Sequence, residues 1–202
     1  MYKYSIKIII ISILLISCFT IAAQDFHGMI IAGITGSQID GDTQAGYNKM
    51  NGLFGLDVIY QITPAWGLQT GLEYQGKGAQ KNINPNNNDY TYFITRLHYV
   101  EIPALINYTF RNKIVAEFGF SVGYLLSASQ EKDGYPSPDD IMTRILPFDI
   151  NAKAGINYVL TTHLGATFRW GYSVKPIALN PAWYNSLISI SLFYKFAQKD
   201  NQ

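Results

Sequence analysis

The stretch LGATFRWGYSV, from Leu164 to Val174, alternates apolar and polar side chains along its whole length. Phe168 and Trp170 fall on one face of this stretch, and Arg169 falls on the other. Successive residues of a β-strand point to opposite faces, so this period of two predicts a strand. The strand has one apolar face and one mixed face that carries the charge.

The same alternation recurs along the chain and predicts an all-β protein. No helical stripe of comparable length follows the N-terminal segment. Eight runs emerge, at 28–37, 51–62, 66–76, 91–110, 113–126, 145–159, 163–174 and 186–196.

The connections between these runs are alternately short and long. Tight turns are expected at 63–65, 111–112 and 161–162, and long polar loops at 38–50, 77–90, 127–144 and 175–185. In an up-and-down meander all the long loops then share one end, and the short turns share the other end with both termini. Outer-membrane barrels have this asymmetry, so the sequence predicts a closed eight-stranded antiparallel up-and-down transmembrane β-barrel.

The composition separates a membrane barrel from a soluble one. Charged residues and aromatic residues each make up 14% of the chain, and the net charge is +1. A soluble barrel would enclose the large aromatic side chains in a narrow interior and would leave an outer surface with few charges. A barrel with its apolar face toward lipid fits better, and the weak net charge offers no field that would recruit nucleic acid.

The outward aromatic residues form two groups, as expected for the two membrane–water interfaces. The group at the short-turn end comprises Tyr60, Trp66, Tyr108, Phe110, Tyr158, Tyr194 and Phe196. The group at the long-loop end comprises Phe54, Tyr74, Tyr124, Phe148 and Tyr172.

The N-terminus has the pattern of a secretory signal peptide. Lys3 and Lys7 precede an apolar core, and Ala22 and Ala23 offer a cleavage site. We therefore assign 1–24 to the signal and 25–202 to the barrel domain. Two alternatives stay open: a retained membrane anchor, and a lipoprotein in which Cys18 of LISC is lipidated.

Eight charged residues are expected to face the lumen. Isolated charges in a narrow barrel would be costly, so the sequence predicts a paired network with Arg169 as its hub, because a guanidinium can bind two carboxylates. The network is interpreted as a structural plug, with a proton or ion path as the alternative. Its expected members are Asp57, Glu73, Glu101, Glu117, Asp149, Lys153, Arg169 and Lys195.

No catalytic residue, metal ligand or cofactor is predicted. His98 lies near Glu101 in one strand, so a lipid-modifying enzyme is an alternative that needs such a pair. The acidic loop QEKDGYPSPDD could attract calcium, but it lacks the regular ligand spacing of a calcium loop.

Pro103 interrupts the fourth run, in a barrel that has no edge strand to accept a missing N–H. The apolar side of the pattern also changes faces, from Leu97 and Tyr99 to Ile102 and Ala104. Both observations predict a β-bulge at Pro103, with one extra residue between Leu97 and Pro103.

The run YVEIPALINY, with Tyr99, Glu101, Ile102 and Pro103, resembles a Tyr-x-Glu-Ile-Pro element of the PorT-like outer-membrane barrels of Bacteroidetes-type bacteria. The early GITGS, the strand FGFSVGYLL and the aromatic-rich last strand are similar to that family as well. The resemblance implies an integral barrel of the bacterial outer membrane, and one lineage is associated with protein secretion.

We therefore expect a non-enzymatic, monomeric outer-membrane protein with periplasmic termini and a structural or surface-binding role for its long loops. An accessory role in secretion or surface assembly is the alternative. The expected partners are outer-membrane lipid and lipopolysaccharide, the barrel-assembly machinery, which would read Tyr194 and Phe196, and an unknown ligand or protein at the loops.

Overall fold

A computed structural model describes residues 26–42, 46–83, 88–111, 113–137 and 141–196. Eight long strands account for most of them. They are β1 (Phe26–Asp40), β2 (Lys49–Gln61), β3 (Trp66–Lys81), β4 (Phe93–Phe110), β5 (Ile114–Lys132), β6 (Phe148–Val159), β7 (Leu164–Ser173) and β8 (Ala182–Lys195). The loops hold the two-residue strands Tyr135–Pro136 and Ala178–Leu179 and a 3-10 turn at Ile141–Thr143. The predicted signal peptide and Cys18 lie outside the described residues.

The eight strands close into a single barrel. Each strand pairs antiparallel with the next, and β8 returns to pair with β1 from Met29–Lys195 to Asp40–Tyr184. Every long strand therefore has a neighbour on both sides. The predicted closed, eight-stranded antiparallel barrel is confirmed.

The apolar face of each strand points outward. In β7, Phe168 and Trp170 are 50% and 41% exposed, whereas Thr167, Arg169 and Ser173 are buried in the lumen. A soluble fold would bury the large apolar side chains instead. The inside-out arrangement is the one that a lipid environment favours.

Several strands continue further toward the long loops than the alternation predicts. β3 extends to Lys81, β5 extends to Lys132, and β8 begins at Ala182. The predicted loops at 77–90, 127–144 and 175–185 are therefore too long. The alternation fails there because both faces of these strand ends meet either other protein segments or solvent. The sequence is therefore no longer divided into an apolar and a polar side.

The predicted bulge between Leu97 and Pro103 is confirmed as an interval, but it does not lie at Pro103 and its extra residue is not in β4. β4 keeps one register with β5 from Tyr99 to Phe110, and Pro103 itself pairs with Ser121. The register shift lies between His98 and Tyr99, which pair with Ser127 and Leu125, so Leu126 of β5 is the extra residue. The proline acts on the other side of its strand, where pairing with β3 skips from Thr70–Ala104 to Glu73–Glu101.

The apparent change of faces in β4 has a different cause. Leu97, Tyr99, Glu101 and Leu105 all point into the lumen, at 0–1% exposure. The strand therefore does not flip. The inward side chains of β4 include the apolar Leu97 and Tyr99 at the loop end and the charged Glu101 in the middle, so the alternation rule mistakes this change for a shift of register.

Replacing Pro103 with alanine should restore the missing ladder contact. The variant gains an amide N–H that faces β3, beside Gly71 and Leu72, so this N–H should become protected from hydrogen exchange. Amide exchange by NMR in detergent or nanodiscs measures this. Rapid exchange of the residue-103 amide, with protection retained at residues 101 and 105, would show that Pro103 is not the cause of the interruption.

Candidate functional site: the lumen and the loop end

Seven of the eight predicted lumen charges are buried inside the barrel. Their exposures run from 0% for Glu73 and Glu101 to 4% for Lys153, and the set is Asp57, Glu73, Glu101, Glu117, Asp149, Lys153 and Arg169. The eighth, Lys195, is half-buried near the short-turn end. The strands hold these side chains inward because each occupies the mixed face of its alternation.

Six of the predicted charges and one further residue, Lys77, form a continuous chain of ion pairs across the lumen. Lys77 Nζ lies 2.7 Å from Asp149 Oδ2 and 2.5 Å from Glu101 Oε1. Lys153 Nζ lies 2.7 Å from Glu101 Oε2 and 2.9 Å from Glu73 Oε2. Three cations are thereby interleaved with four carboxylates, from Asp149 to Glu117.

Arg169 binds two carboxylates, as the sequence predicts, but it is not a unique hub. Its Nη1 lies 2.8 Å from Glu73 Oε1, and its Nε donates to Glu117. Lys77 and Lys153 each bridge two carboxylates as well. The pairing of the carboxylates is therefore shared among three cations. The ion pairs join β3, β4, β5, β6 and β7 through their side chains.

Sequence reasoning missed Lys77, which is fully buried. The pattern of its segment QGKGAQK predicts the start of a polar loop, because glycines flank the lysine and no apolar outward residues mark the strand. One signal was available in the sequence. Lys77 continues the inward set Glu73 and Gln75 at a spacing of two.

Asp57 and Lys195 do not join the ion-pair chain, which corrects the prediction for both. Asp57 Oδ2 accepts a hydrogen bond from Gln69 Nε2 at 2.7 Å, and Asn107 donates to Gln69 in turn. Lys195 Nζ lies 5.5 Å from the centroid of the Phe193 ring. Both residues are lumen residues, but their partners are an amide and an aromatic ring.

Neutral polar groups donate further hydrogen bonds to three carboxylates of the ion-pair chain. Ser121 Oγ donates to Glu101 at 3.0 Å, and Asn157 Nδ2 donates to Glu117 at 2.8 Å. Ser173 Oγ and Asn185 Nδ2 donate to Asp149 at 2.8 Å and 2.9 Å. Buried charges persist only when paired and hydrogen-bonded in this way.

Apolar clusters lie on both sides of the charged middle. Toward the short turns, Met29, Ile31, Leu53, Ile59 and Phe193 pack together. Toward the long loops, side chains from the loops fold inward and meet the barrel wall; this outer cluster contains Ile39, Ala79, Leu97, Tyr99, Leu125, Ile141, Ile145, Ile177, Ala178 and Trp183. The lumen is thus a packed core with charges in its centre.

Main-chain bonds hold the loop part of this outer cluster in place. Leu146 N donates to Ile177 O at 2.6 Å, which ties the β5–β6 loop to the β7–β8 loop. Ile177 N donates to Trp183 O at 2.7 Å, and Arg144 lies over the Trp183 ring at 5.2 Å. The two loops therefore act as one lid over the lumen.

A second feature of the loop end is an extension built by β3, β4 and β5. Pairing of β5 with β6 stops at Tyr124–Phe148, whereas pairing of β4 with β5 continues to Phe93–Lys132. At about 3.3 Å per residue, the eight further residues of β5 carry the sheet roughly 26 Å along the strand direction. Its tip links two loops, since Tyr92 N donates to Asp133 Oδ1 at 2.9 Å.

Two ion pairs brace this extension. Lys81 Nζ lies 2.6 Å from Asp89 Oδ2, and its hydrogen bond lowers the pKa of that carboxyl. Arg96 Nη1 lies 2.5 Å from Glu131 Oε1, and its hydrogen bonds lower the pKa of Glu131. All four side chains are partly solvated, so these pairs contribute little to stability compared with the buried chain.

All twelve residues of the two predicted aromatic groups point away from the lumen. Within the group at the short turns, Trp66 and Tyr108 have ring centroids 4.7 Å apart. Within the group at the loops, Tyr124 and Phe148 lie 5.5 Å apart. Phe54 pairs with Tyr74, and Tyr124 pairs with Phe148. Val100 of β4 lies between these two aromatic pairs and pairs with both Tyr74 and Tyr124.

The described residues form neither the His98–Glu101 pair of the enzyme alternative nor a calcium site. His98 points outward and its Nδ1 lies 2.5 Å from Tyr74 Oη, whereas Glu101 points into the lumen, so the two do not form a pair. Among the described residues, no group of three or more His, Cys, Asp or Glu could hold a metal ion. The acidic loop lies partly outside the described ranges.

The comparisons with known proteins agree with the inside-out barrel. No helix within the described ranges is long and apolar enough to cross a membrane. Residues 22–178 match the family described as the outer membrane protein beta-barrel domain. The chain belongs to this family. It is an integral protein of the bacterial outer membrane.

Solved structures of the same architecture show low sequence identity to this family member. The attachment invasion locus protein Ail of Yersinia pestis is 12% identical, with a TM-score of 0.53 over 85% of this chain and 99% of that one. Neisserial surface protein A is 13% identical, with a TM-score of 0.52 over 85% and 97%. These similarities establish the fold. No curated protein matches the chain significantly.

Removing Lys77 should destabilise the barrel far more than removing a surface lysine. Lys77→Met leaves Glu101 and Asp149 without their shared buried cation, which should lower the free energy of unfolding by about 3–5 kcal/mol. The matched control Lys81→Met breaks the partly exposed pair with Asp89, which should cost about 1 kcal/mol or less. Urea titration of the folded protein in lipid, followed by tryptophan fluorescence, measures both values.

Equal losses for the two variants would contradict the assignment of the lumen chain as the main polar contribution to stability. A Lys77→Arg variant adds a further check, because it keeps the charge. It should recover part of the loss.

Proposed function

We propose that the protein is a non-enzymatic, monomeric outer-membrane barrel whose working surface is the rim of loops rather than the lumen. The observation that carries this proposal is the filled lumen, in which ion-paired side chains occupy the centre and loop side chains cover the outer end. An eight-stranded barrel filled in this way leaves no aqueous path for a solute. The solvent-facing loops are then the surface left for recognition.

The tip of the β3–β5 extension is the part of the rim best suited to binding. Tyr90 and Tyr135 are 65% and 76% exposed, close to the hydrogen-bonded junction of Tyr92 and Asp133. Tyrosine presents a large amphipathic surface with little conformational entropy to lose on binding. Two exposed tyrosines on a braced sheet are therefore good contacts for a protein or surface ligand.

The position of the termini supports an orientation for the barrel. β1 begins and β8 ends at the short-turn end, where Phe196 N donates to Gly28 O at 2.9 Å. Short turns face the periplasm in outer-membrane barrels, so we place both termini there and the rim outside the cell. A cleaved signal peptide over 1–24 and contact with lipopolysaccharide at the loop-side aromatic residues belong to the same proposal, as does assembly by the barrel-insertion machinery.

The resemblance to PorT-like barrels of Bacteroidetes-type bacteria supports a second candidate, an accessory role in secretion or surface assembly. Two residues of the Glu-Ile-Pro element have structural duties here. Glu101 belongs to the ion-pair chain, and Pro103 interrupts the β3 ladder. The element therefore supports the type of barrel. A role in secretion depends on which partner the protein binds.

Capture from cross-linked cells tests the proposal. A tagged Tyr90→Ser, Tyr135→Ser double variant is compared with the wild type and with Leu160→Ser, an exposed apolar residue at the short-turn end. We expect a partner that the wild type and Leu160→Ser recover equally and the rim variant loses several-fold. Equal recovery by all three would favour a purely structural role. Loss with Leu160→Ser alone would place the partner in the periplasm and favour the secretion role.

A further inference from the structure

The outer wall of the barrel carries a groove of about 650 Å³ on β2, β3 and β4, closed at one end by Phe26 of β1. It lies among outward side chains, in the half of the membrane-facing surface that is nearest the short turns. The residues that shape it are Phe26, Tyr60, Leu68, Thr70, Ala104 and Ile106.

The groove exists because two small side chains lie next to each other on an outer surface of otherwise large side chains. Thr70 and Ala104 pair directly across β3 and β4. Two residues away along each strand the outward side chains are large, with Leu68 and Leu72 on β3 and Ile102 and Ile106 on β4. The missing bulk at this point leaves a depression between them.

The floor of the groove reaches into the barrel wall. Gln69 and Leu105 contribute to it, although both point inward and are 2% and 1% exposed. Just above, pairing between β3 and β4 is interrupted at Gly71–Leu72 and Ile102–Pro103. The depression therefore lies beside the least regular seam of the sheet.

The groove has a definite height in the membrane. Its lower end is closed by Phe26 and Tyr60, whose ring centroids are 4.9 Å apart, beside the aromatic group at the short turns. Thr70 lies four residues beyond Trp66, which is about 13 Å along the strand and about 10 Å along the membrane normal at a strand tilt of about 40°. The apolar band of such barrels is about 25 Å tall, so the groove fills the half of the band nearest the short turns.

We propose that this groove is a specific site for one acyl chain of a phospholipid in the leaflet at the short-turn end. The groove is continuous with the lipid-facing surface, so its occupant is immersed in hydrocarbon. Its lining is aliphatic and aromatic apart from Thr70 and part of Gln69. A chain that enters from the interface beside Tyr60 and runs toward Ala104 follows the direction of the surrounding lipid tails.

A chain in the groove contacts side chains on four strands, β1 to β4. Each added contact contributes a small dispersion attraction. The site should therefore hold its lipid longer than the rest of the surface does. This inference rests on the membrane insertion of the barrel, and it is independent of the role of the rim.

Photolabelling tests the site with the full-length mature protein in nanodiscs. The probe is phosphatidylethanolamine carrying a diazirine in the middle of one acyl chain, and mass spectrometry maps the labelled peptides. We expect labelling at 68–70 and 104–106 to exceed labelling at 154–156, the corresponding outward segment of β6, by several-fold. Ala104→Leu fills the groove and should remove most of this excess, whereas the matched Ala154→Leu should leave it unchanged.

Uniform labelling around the barrel would overturn the proposal, as would an excess that survives Ala104→Leu. Cross-links from the groove to a second polypeptide in native membranes would also overturn it, because the occupant would then be a protein. Unheated gel mobility confirms that each variant is folded. A failed barrel is thereby distinguished from a lost lipid site.

Discussion

The structure depends on the chain of buried ion pairs that links Asp149, Lys77, Glu101, Lys153, Glu73, Arg169 and Glu117. A barrel in lipid turns its apolar side chains outward and must fill its interior with the other face of every strand. Charges that are confined there have no bulk water, so each must find a partner. The alternation of cations and carboxylates meets this need, and it fixes strand register at the same time, because a slip by one residue would expel a charge into lipid.

This constraint separates the middle of the barrel from its two ends. The centre cannot serve as a pore without breaking ion pairs that are almost fully buried. At the loop end, apolar side chains join the polar ones in the lumen, and the loops fold in to cover it. Extension of β3, β4 and β5 past the lid then carries Tyr90 and Tyr135 away from the barrel. The covered lumen and the exposed tyrosines at the tip of the extension are two consequences of the same packing.

The strand pattern and the faces could be predicted from the sequence, because lipid on one side and a polar lumen on the other impose a strict period of two. The eight closed strands and the inward position of residues such as Glu73 and Arg169 follow from that period. The same rule fails where the environment changes along a strand. Lys77 is hidden between glycines beyond the lipid-facing region, and Leu97 and Tyr99 are apolar yet point inward. Their placement depends on loops from distant parts of the chain, so no local pattern contains it.

A lumen that is closed and whose charges are paired in the native state should not conduct ions. The most direct measurement is single-channel recording of the purified protein in a planar bilayer at neutral pH. The folded barrel should show no stepwise conductance above that of the bare membrane. Reproducible steps from the folded wild-type barrel would contradict this expectation, because ions would then have to pass the site that Lys77, Glu101 and Lys153 occupy.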